Sequence, residues 1–191
     1  LSGKVALVTG GSRGIGRAIV EDLARSGATV AFTYVSNAEK AKELETELAA
    51  ISTVQGFQSD LSDISHLNEL VTAIKDEFGS VDILVNNAGV FSSQPFTEVT
   101  ESEFDRLFTT NVKGTFFLTQ QLLPLLKDRG RIINLSSGCT RHHVPLTSVY
   151  AATKAALEQF TRLWAKELAP QGITVNSILP GYVGTDWVEY A

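Results

Sequence analysis

Tyr150 and Lys154 stand four residues apart in "VYAATKAALEQF", a stretch with helical apolar spacing. Both side chains therefore project along one face of one turn. A phenol beside an ammonium suits proton exchange with a carbonyl oxygen. A free phenol ionises at about 10, and an adjacent cation favours the phenolate and brings that value toward neutrality. The expectation is a tyrosine acid whose pKa lies below its ordinary value. Such a pair also arises by chance in a chain with four tyrosines, so its setting has to decide. In "RIINLSSGCTRHH" a β-branched run ends at Ser136 and Ser137. A serine hydroxyl there can hydrogen-bond a carbonyl and stabilise charge growing on its oxygen, or it can simply finish the strand.

A second constellation lies in "LVTGGSRGIGRAI", residues 7–19, where an apolar strand candidate runs into glycines and then a helix candidate. That context suits a dinucleotide pyrophosphate on a helix N-terminus, although a glycine turn without a ligand reads the same way locally. Gly10 allows the tight turn, Gly14 lets backbone approach a phosphate, and Gly16 lets helix and strand pack closely. Ser12, Arg13 and Ile15 complete the loop, which is one residue longer than the commoner fingerprint. An NAD site usually carries an acid about 20 residues further on, at the end of the second strand. Here that end reads "FTYVSNAEK", with no acid before Glu39. A 2′-phosphate would meet no carboxylate there, while Arg13 offers charge and Ser36 and Asn37 offer donors. NADP (NADPH) is expected over NAD, with Arg13 as a solvated loop charge the bland alternative.

The elements that must position these residues alternate along the chain. Strands are expected at 4–9, 28–34, 53–58, 81–85, 131–135 and 173–178, and helices near 14–26, 38–50, 63–78, 102–127 and 148–169. This order predicts an α/β protein with a doubly wound parallel sheet, in a single domain over 1–191. Ligands in such folds meet the carboxyl ends of strands, here the loops 9–16, 34–38, 59–62, 86–91, 136–148 and 179–186. A net charge of −5 argues against nucleic-acid or membrane-surface partners. No apolar run approaches the ~18 residues of a membrane span, and the N-terminus does not read as a secretory signal. Cys139 is the single cysteine, which fits a reducing, cytoplasmic setting. In helix 148–169, Leu157, Phe160, Trp164 and Leu168 are expected to face the sheet, with Ala152, Ala156 and Leu163 as a second stripe. Helix 102–127 is too apolar for a solvent face, with Phe104, Phe108, Phe116 and Phe117. A homodimer or homotetramer is expected from these spare faces.

Taken together, "TGGSRGIG" (9–16), "SDLSD" (59–63), "NNAG" (86–89), "NVKG" (111–114), "NLSS" (134–137), "YAATK" (150–154) and "PGYVGTD" (180–186) resemble the short-chain dehydrogenase/reductase family. They occur in family order, including a thirteen-residue step from Ser137 to Tyr150, and are most similar to the 3-oxoacyl-carrier-protein reductase-like branch. The resemblance implies a Rossmann fold and an NADP-dependent oxidoreductase acting on CH–OH donors, with a 3-oxoacyl-thioester-like or other small ketone as partner. It implies that Tyr150 is the acid in reduction and the base in oxidation. Lys154 would tune it and hold the nicotinamide ribose, and Ser137 would polarise the carbonyl. Asn111 would interrupt its helix and hold a water in a proton relay; read without the resemblance, it is a polar residue expected to face solvent. Asp60 and Leu61 match adenine contacts, and Asn87, Ala88 and Gly89 match residues lining the cofactor. The segment Pro180 to Thr185, with Gly181 and Val183, matches the one that touches the carboxamide through its backbone.

Two departures stand out. Thr140 occupies a position where many relatives have glycine and is followed by "RHHVP", which puts substrate specificity by analogy in doubt. His142 and His143 are adjacent and would diverge, with no third ligand, so no metal site is expected. Family members also continue past the equivalent of Ala191 with a flap, a helix and a seventh strand. The chain has no methionine, and Trp187 and Tyr190 look like the start of that flap. The expectation is a longer gene product whose C-terminal strand and substrate flap are missing from this sequence. A non-catalytic nucleotide-binding regulatory protein on the same fold is the rival reading, and the presence of Ser137, Tyr150, Lys154 and Asn111 speaks against it.

Overall fold

The central strands, rich in Val, Ile and small apolar residues, are buried on both faces, which is what a parallel sheet covered by crossover helices requires. The strands are β1 (Val5–Val8), β2 (Thr29–Tyr34), β3 (Val54–Gln58), β4 (Val81–Asn86), β5 (Leu126–Leu135) and β6 (Thr174–Ile178). The structure, a computed structural model, describes residues 1–184, so Thr185, Trp187 and Tyr190 lie outside the described residues. All strand pairs are parallel, in the order β3-β2-β1-β4-β5-β6. The helices are α1 (Gly14–Arg25), α2 (Ala38–Leu48), α3 (Leu67–Phe78), α4 (Glu101–Phe108), α5 (Thr115–Leu122), α6 (Cys139–His142) and α7 (Ser148–Glu167).

Period-two alternation sorts the core onto two faces. Ala6, Val8, Val30 and Phe32 pack with Val20 and Ala24 of α1 and with Leu44 and Leu48 of α2. Leu7, Leu84 and Ile132 point the other way, against α3, α5 and Trp164 of α7. Because β1 leads outward to β2 while its other neighbour β4 leads away to β5, a crevice opens at the carboxyl ends of β1 and β4. Among the described residues no helix is long and apolar enough to cross a membrane.

The expected strands agree with the structure to within a few residues, except that β5 starts earlier than 131. Two helical expectations need correction. The helix expected over 63–78 opens with a 3₁₀ turn (Ile64–His66) before α3. The helix expected over 102–127 breaks into α4, a six-residue π-helical turn (Thr109–Gly114), α5 and a 3₁₀ turn (Leu123–Leu125). Pro124 helps to end it, since proline lacks the N–H that a continuing helix needs. From Leu126 the chain is already strand, with a register shift between Val81 and Ile83 of β4. The loop expected over 136–148 contains the single turn α6.

Candidate active site

The glycine loop leaves β1 at Thr9 and enters α1. Gly10 and Gly14 have φ of +65° and +53°, a left-handed region open to glycine. A Cβ on Gly16 would lie 2.1 Å from the Gly10 carbonyl oxygen, so the helix passes directly over the turn. The α1 N-cap residue, Arg13, makes no side-chain capping bond, and the first turn of α1 has no acidic residue. The positive end of a twelve-residue helix thus stands at the crevice, and this arrangement fits a pyrophosphate. Ser12 is half-buried and Arg13 exposed, while Ile15 packs against the core cluster.

Neighbouring loops are tied to this one by groups whose part the sequence did not reveal. The Thr9 hydroxyl accepts the Asn87 and Ala88 backbone N–H groups at 3.0 and 2.9 Å. The Asn87 carboxamide donates to the carbonyls of Thr9 and Gly10 at 2.9 and 3.1 Å. Thr33 at the end of β2 accepts the Gly10 N–H through its hydroxyl at 3.0 Å. Beyond β2, Val35, Ser36 and Asn37 are exposed, and the Asn37 Oδ1 caps α2 by accepting the Lys40 N–H at 2.9 Å. Asn37 therefore has its amide N–H₂ to offer a ligand, as a donor. Asp60 is exposed and holds Ser62 through its Oδ1, whereas Leu61 turns its side chain into the core and can meet a ligand through backbone.

Ser137, Tyr150, Lys154 and Asn111 converge on the carboxyl ends of β4 and β5. The two serines after β5 part company, because successive side chains along an extended chain alternate. Ser136 is buried and donates to Glu158 Oε1 at 2.9 Å. Ser137 stands close enough to the Tyr150 phenol for its hydroxyl to favour the phenolate, and that hydroxyl accepts the Cys139 N–H at 3.2 Å. Lys154 is buried, with Nζ donating to the Leu135 carbonyl at 2.8 Å and lying 5.8 Å from the centre of the Tyr150 ring. Phe91, absent from the sequence expectation, packs edge-on against that ring at 4.9 Å. A Cβ on Gly89 would come within 3.1 Å of Asn111 Oδ1 and 3.4 Å of Lys154 Nζ, so this glycine lets both groups approach the β4 loop. Pro180 joins them through its carbonyl, which accepts the Gly138 N–H at 2.8 Å; Gly181 and Val183 are exposed.

The solvent-facing expectation for Asn111 is overturned. Its side chain is fully buried inside the π-helical turn. Oδ1 accepts the Val90 N–H at 2.7 Å, and Nδ2 donates to the Val90 carbonyl at 2.9 Å and the Thr153 hydroxyl at 3.1 Å. Pairing with a backbone edge is what makes burial of this amide tolerable.

Electrostatics depart from the expected pattern as well. Burial pushes the Tyr150 phenol above its ordinary range; the Ser137 hydroxyl works against this and the Cys139 sulfur adds to it. The expected lowering by Lys154 is not found: burial of the phenol dominates, and Lys154 Nζ donates to the Leu135 carbonyl. Burial instead lowers the Lys154 ammonium from 10.5 to about 8. Below that value the fold must hold a buried cation, and this cost is relieved as pH rises from about 8 toward 10.5. Without added nucleotide, the stability gap between Lys154→Met and the parent chain should therefore change across this interval in favour of the parent. Urea unfolding of both proteins from pH 7.5 to 10 reads this, and a constant gap contradicts a depressed Lys154.

A family model described as short chain dehydrogenase matches residues 4–191. A short chain dehydrogenase of Claviceps purpurea (strain 20.1) is 39% identical over 188 residues, covering 97% of this chain and 71% of that protein. Among solved structures, a short chain dehydrogenase from Burkholderia cenocepacia J2315 in complex with NADP is 39% identical with a TM-score of 0.94, covering 97% of this chain and 77% of that one. A blue fluorescent protein from a metagenomic library, in complex with NADPH, is 42% identical with a TM-score of 0.94 over the same shares. Matched in sequence and fold along nearly its whole length, this chain belongs to the short-chain dehydrogenase family.

Proposed function

We propose that the protein is an NADP(H)-dependent oxidoreductase that interconverts a small ketone, a 3-oxoacyl thioester among the candidates, and its secondary alcohol. The observation that carries this reading is the convergence of the Ser137 hydroxyl and the buried Tyr150 phenol at the strand ends, with Lys154 Nζ 5.8 Å from the ring centre and the crevice alongside. When bound, the nicotinamide supplies or accepts the hydride. The Ser137 hydroxyl donates to the substrate oxygen and stabilises charge as it grows there. Tyr150 delivers the proton: a phenol with a raised pKa still protonates an alkoxide, which is far more basic than a phenolate. Lys154, whose pKa of about 8 lets it exchange protons near neutrality, replenishes Tyr150 and reaches for the ribose hydroxyls. Asn111 has its carboxamide bonded to Val90 and Thr153, so the backbone carbonyls of the π-helical turn hold the water of the relay.

Tyr150→Phe should abolish ketone reduction while NADPH still binds, since the phenol need not touch the pyrophosphate. Steady-state reduction over a ketone panel, followed at 340 nm beside fluorescence titration with NADPH, checks this. Near-normal turnover in the variant would remove Tyr150 from the mechanism.

The choice of NADP rests on Arg13 in the glycine loop and on Ser36 and Asn37, exposed beyond β2 with no acid before Glu39; the NADP and NADPH complexes of the two relatives support it. Gly10, Gly14 and Gly16 with Ser12 and Ile15 form the pyrophosphate cradle. Asp60 and Leu61 flank the adenine, Asn87 to Gly89 line the crevice, and Pro180 to Val183 approach the carboxamide. Arg13→Ala should weaken NADPH by about 1.5–3 kcal/mol, roughly one to two decades in Kd, and leave NADH almost unchanged. Equal losses for both nucleotides, or a parent enzyme that prefers NADH, would contradict the assignment.

Assembly follows from the outer faces of α4, α5 and α7. Leu157 and Leu168 are buried as expected, but Phe160 and Trp164 stack on each other at 5.2 Å and pack across Phe116 of α5. Phe104 and Leu163 are each 45% exposed, and Ala152 is exposed between them in sequence. A second copy covering these faces makes a dimer or tetramer. Light scattering at micromolar concentration should return at least a dimer mass; a monomer contradicts the arrangement.

A further inference from the structure

The departure at Thr140 and Arg141, which the proposed reaction leaves unused, meets a buried carboxylate. Glu158 lies on α7 one turn beyond Lys154 and two beyond Tyr150, and its side chain is 7% exposed. Its Oε1 accepts the Ser136 hydroxyl at 2.9 Å, and the same hydroxyl lies 3.2 Å from the Lys154 carbonyl. Its Oε2 accepts from Arg141 Nη2 at 2.9 Å, with Arg162 Nη2 at 3.6 Å. Burial works to raise the Glu158 carboxyl, but the Thr140 and Ser136 hydroxyls and the Arg141 and Arg162 guanidiniums outweigh it and hold it below its usual range. The carboxylate therefore grips both sides of Ser137. Ser136 precedes it, and Arg141 closes the turn α6 whose Thr140 hydroxyl donates to the Ser137 carbonyl at 2.9 Å.

We propose that Glu158 is a positioning residue that clamps the segment Ser136–Arg141 to α7 and so fixes the Ser137 hydroxyl against the Tyr150 phenol. The inference rests on the carbonyl-reductase reading given above. The two groups that must meet one substrate oxygen come from different elements, the β5 exit and α7, and their spacing has to be held by something that joins those elements. Glu158 does so from below, out of reach of substrate. Misplacement of a reacting group by about 1 Å is enough to cost two decades in rate.

Glu158→Ala should lower kcat for ketone reduction roughly 10- to 100-fold while leaving the Kd of NADPH within about twofold. In a Ser137→Ala background it should lower kcat hardly further, because its effect passes through Ser137. Glu158→Gln, which keeps an oxygen for Ser136, should recover part of the loss. Arg141→Ala, whose side chain is 61% exposed and whose removal leaves the core intact, should show a smaller loss of the same kind. Losses that multiply in the double variant, or an Arg141→Ala enzyme with parent kcat, would overturn the clamp. Alkylation of Cys139, the single cysteine, by iodoacetamide reads the same segment without any turnover. It should be several-fold faster in both Glu158→Ala and Arg141→Ala than in the parent. If the parent reduces no ketone, the reading of the reaction fails, and the alkylation rates still decide the clamp: faster supports it, unchanged overturns it.

Discussion

The two hydrogen bonds between the Asn111 carboxamide and the backbone of Val90 hold the site together. They join the helical layer to the loop after β4, and the third bond of the same side chain, to Thr153, brings in α7 one residue before Lys154. Burying an amide this deeply costs far less when its polar atoms are matched. Matching it requires the chain to approach Val90 where a regular α-helix would carry it past, and the π-helical turn supplies that displacement. Gly114 closes the turn against the Leu61 carbonyl, where a Cβ would sit at 2.1 Å. One side-chain pairing thus accounts for a broken helix, a required glycine and the placement of a lysine.

Lys154 is the opposite case, a group buried at a cost. Among the described residues its ammonium has one hydrogen bond, to Leu135, which does not replace a full hydration shell, and the ammonium loses affinity for its proton. The rest of the fold must be stable enough to carry this local penalty, a condition typical of sites that do chemistry. Beneath it lies a buried polar ladder: the Asn86 amide donates to Thr119 and Asn134, and the Asn134 amide donates to Thr161 of α7. These bonds fasten β4, β5, α5 and α7 to one another under the site, leaving little freedom for Tyr150 and Lys154 to drift from the strand ends.

The contrast between Ser136 and Ser137 shows how function and support are divided between neighbours. Alternation sends one hydroxyl down into α7 and the other up toward the phenol. The lower one reaches Glu158, whose other oxygen is held by an exposed arginine of α6. Arg141, four residues after Ser137, is therefore a structural partner of the helix that carries the tyrosine.

Some of this was legible from sequence alone. Strand positions follow from β-branched runs, because a strand covered on both faces is mostly apolar. Tyr150 and Lys154 share a face because the helical period puts residues four apart together, and the glycines of the β1 loop mark a backbone that only glycine adopts. Tertiary structure decided the rest. The break at Asn111, which the family resemblance implied and the apolar periodicity did not, is built with Val90 and Leu61, distant in the chain. Which serine meets the phenol depends on where α7 lies. The direction of the Tyr150 shift depends on how deeply the packed elements bury the phenol, which spacing in the sequence does not reveal. Spacing determines which groups can meet; the atoms that satisfy them, brought from elsewhere in the chain, determine how they do.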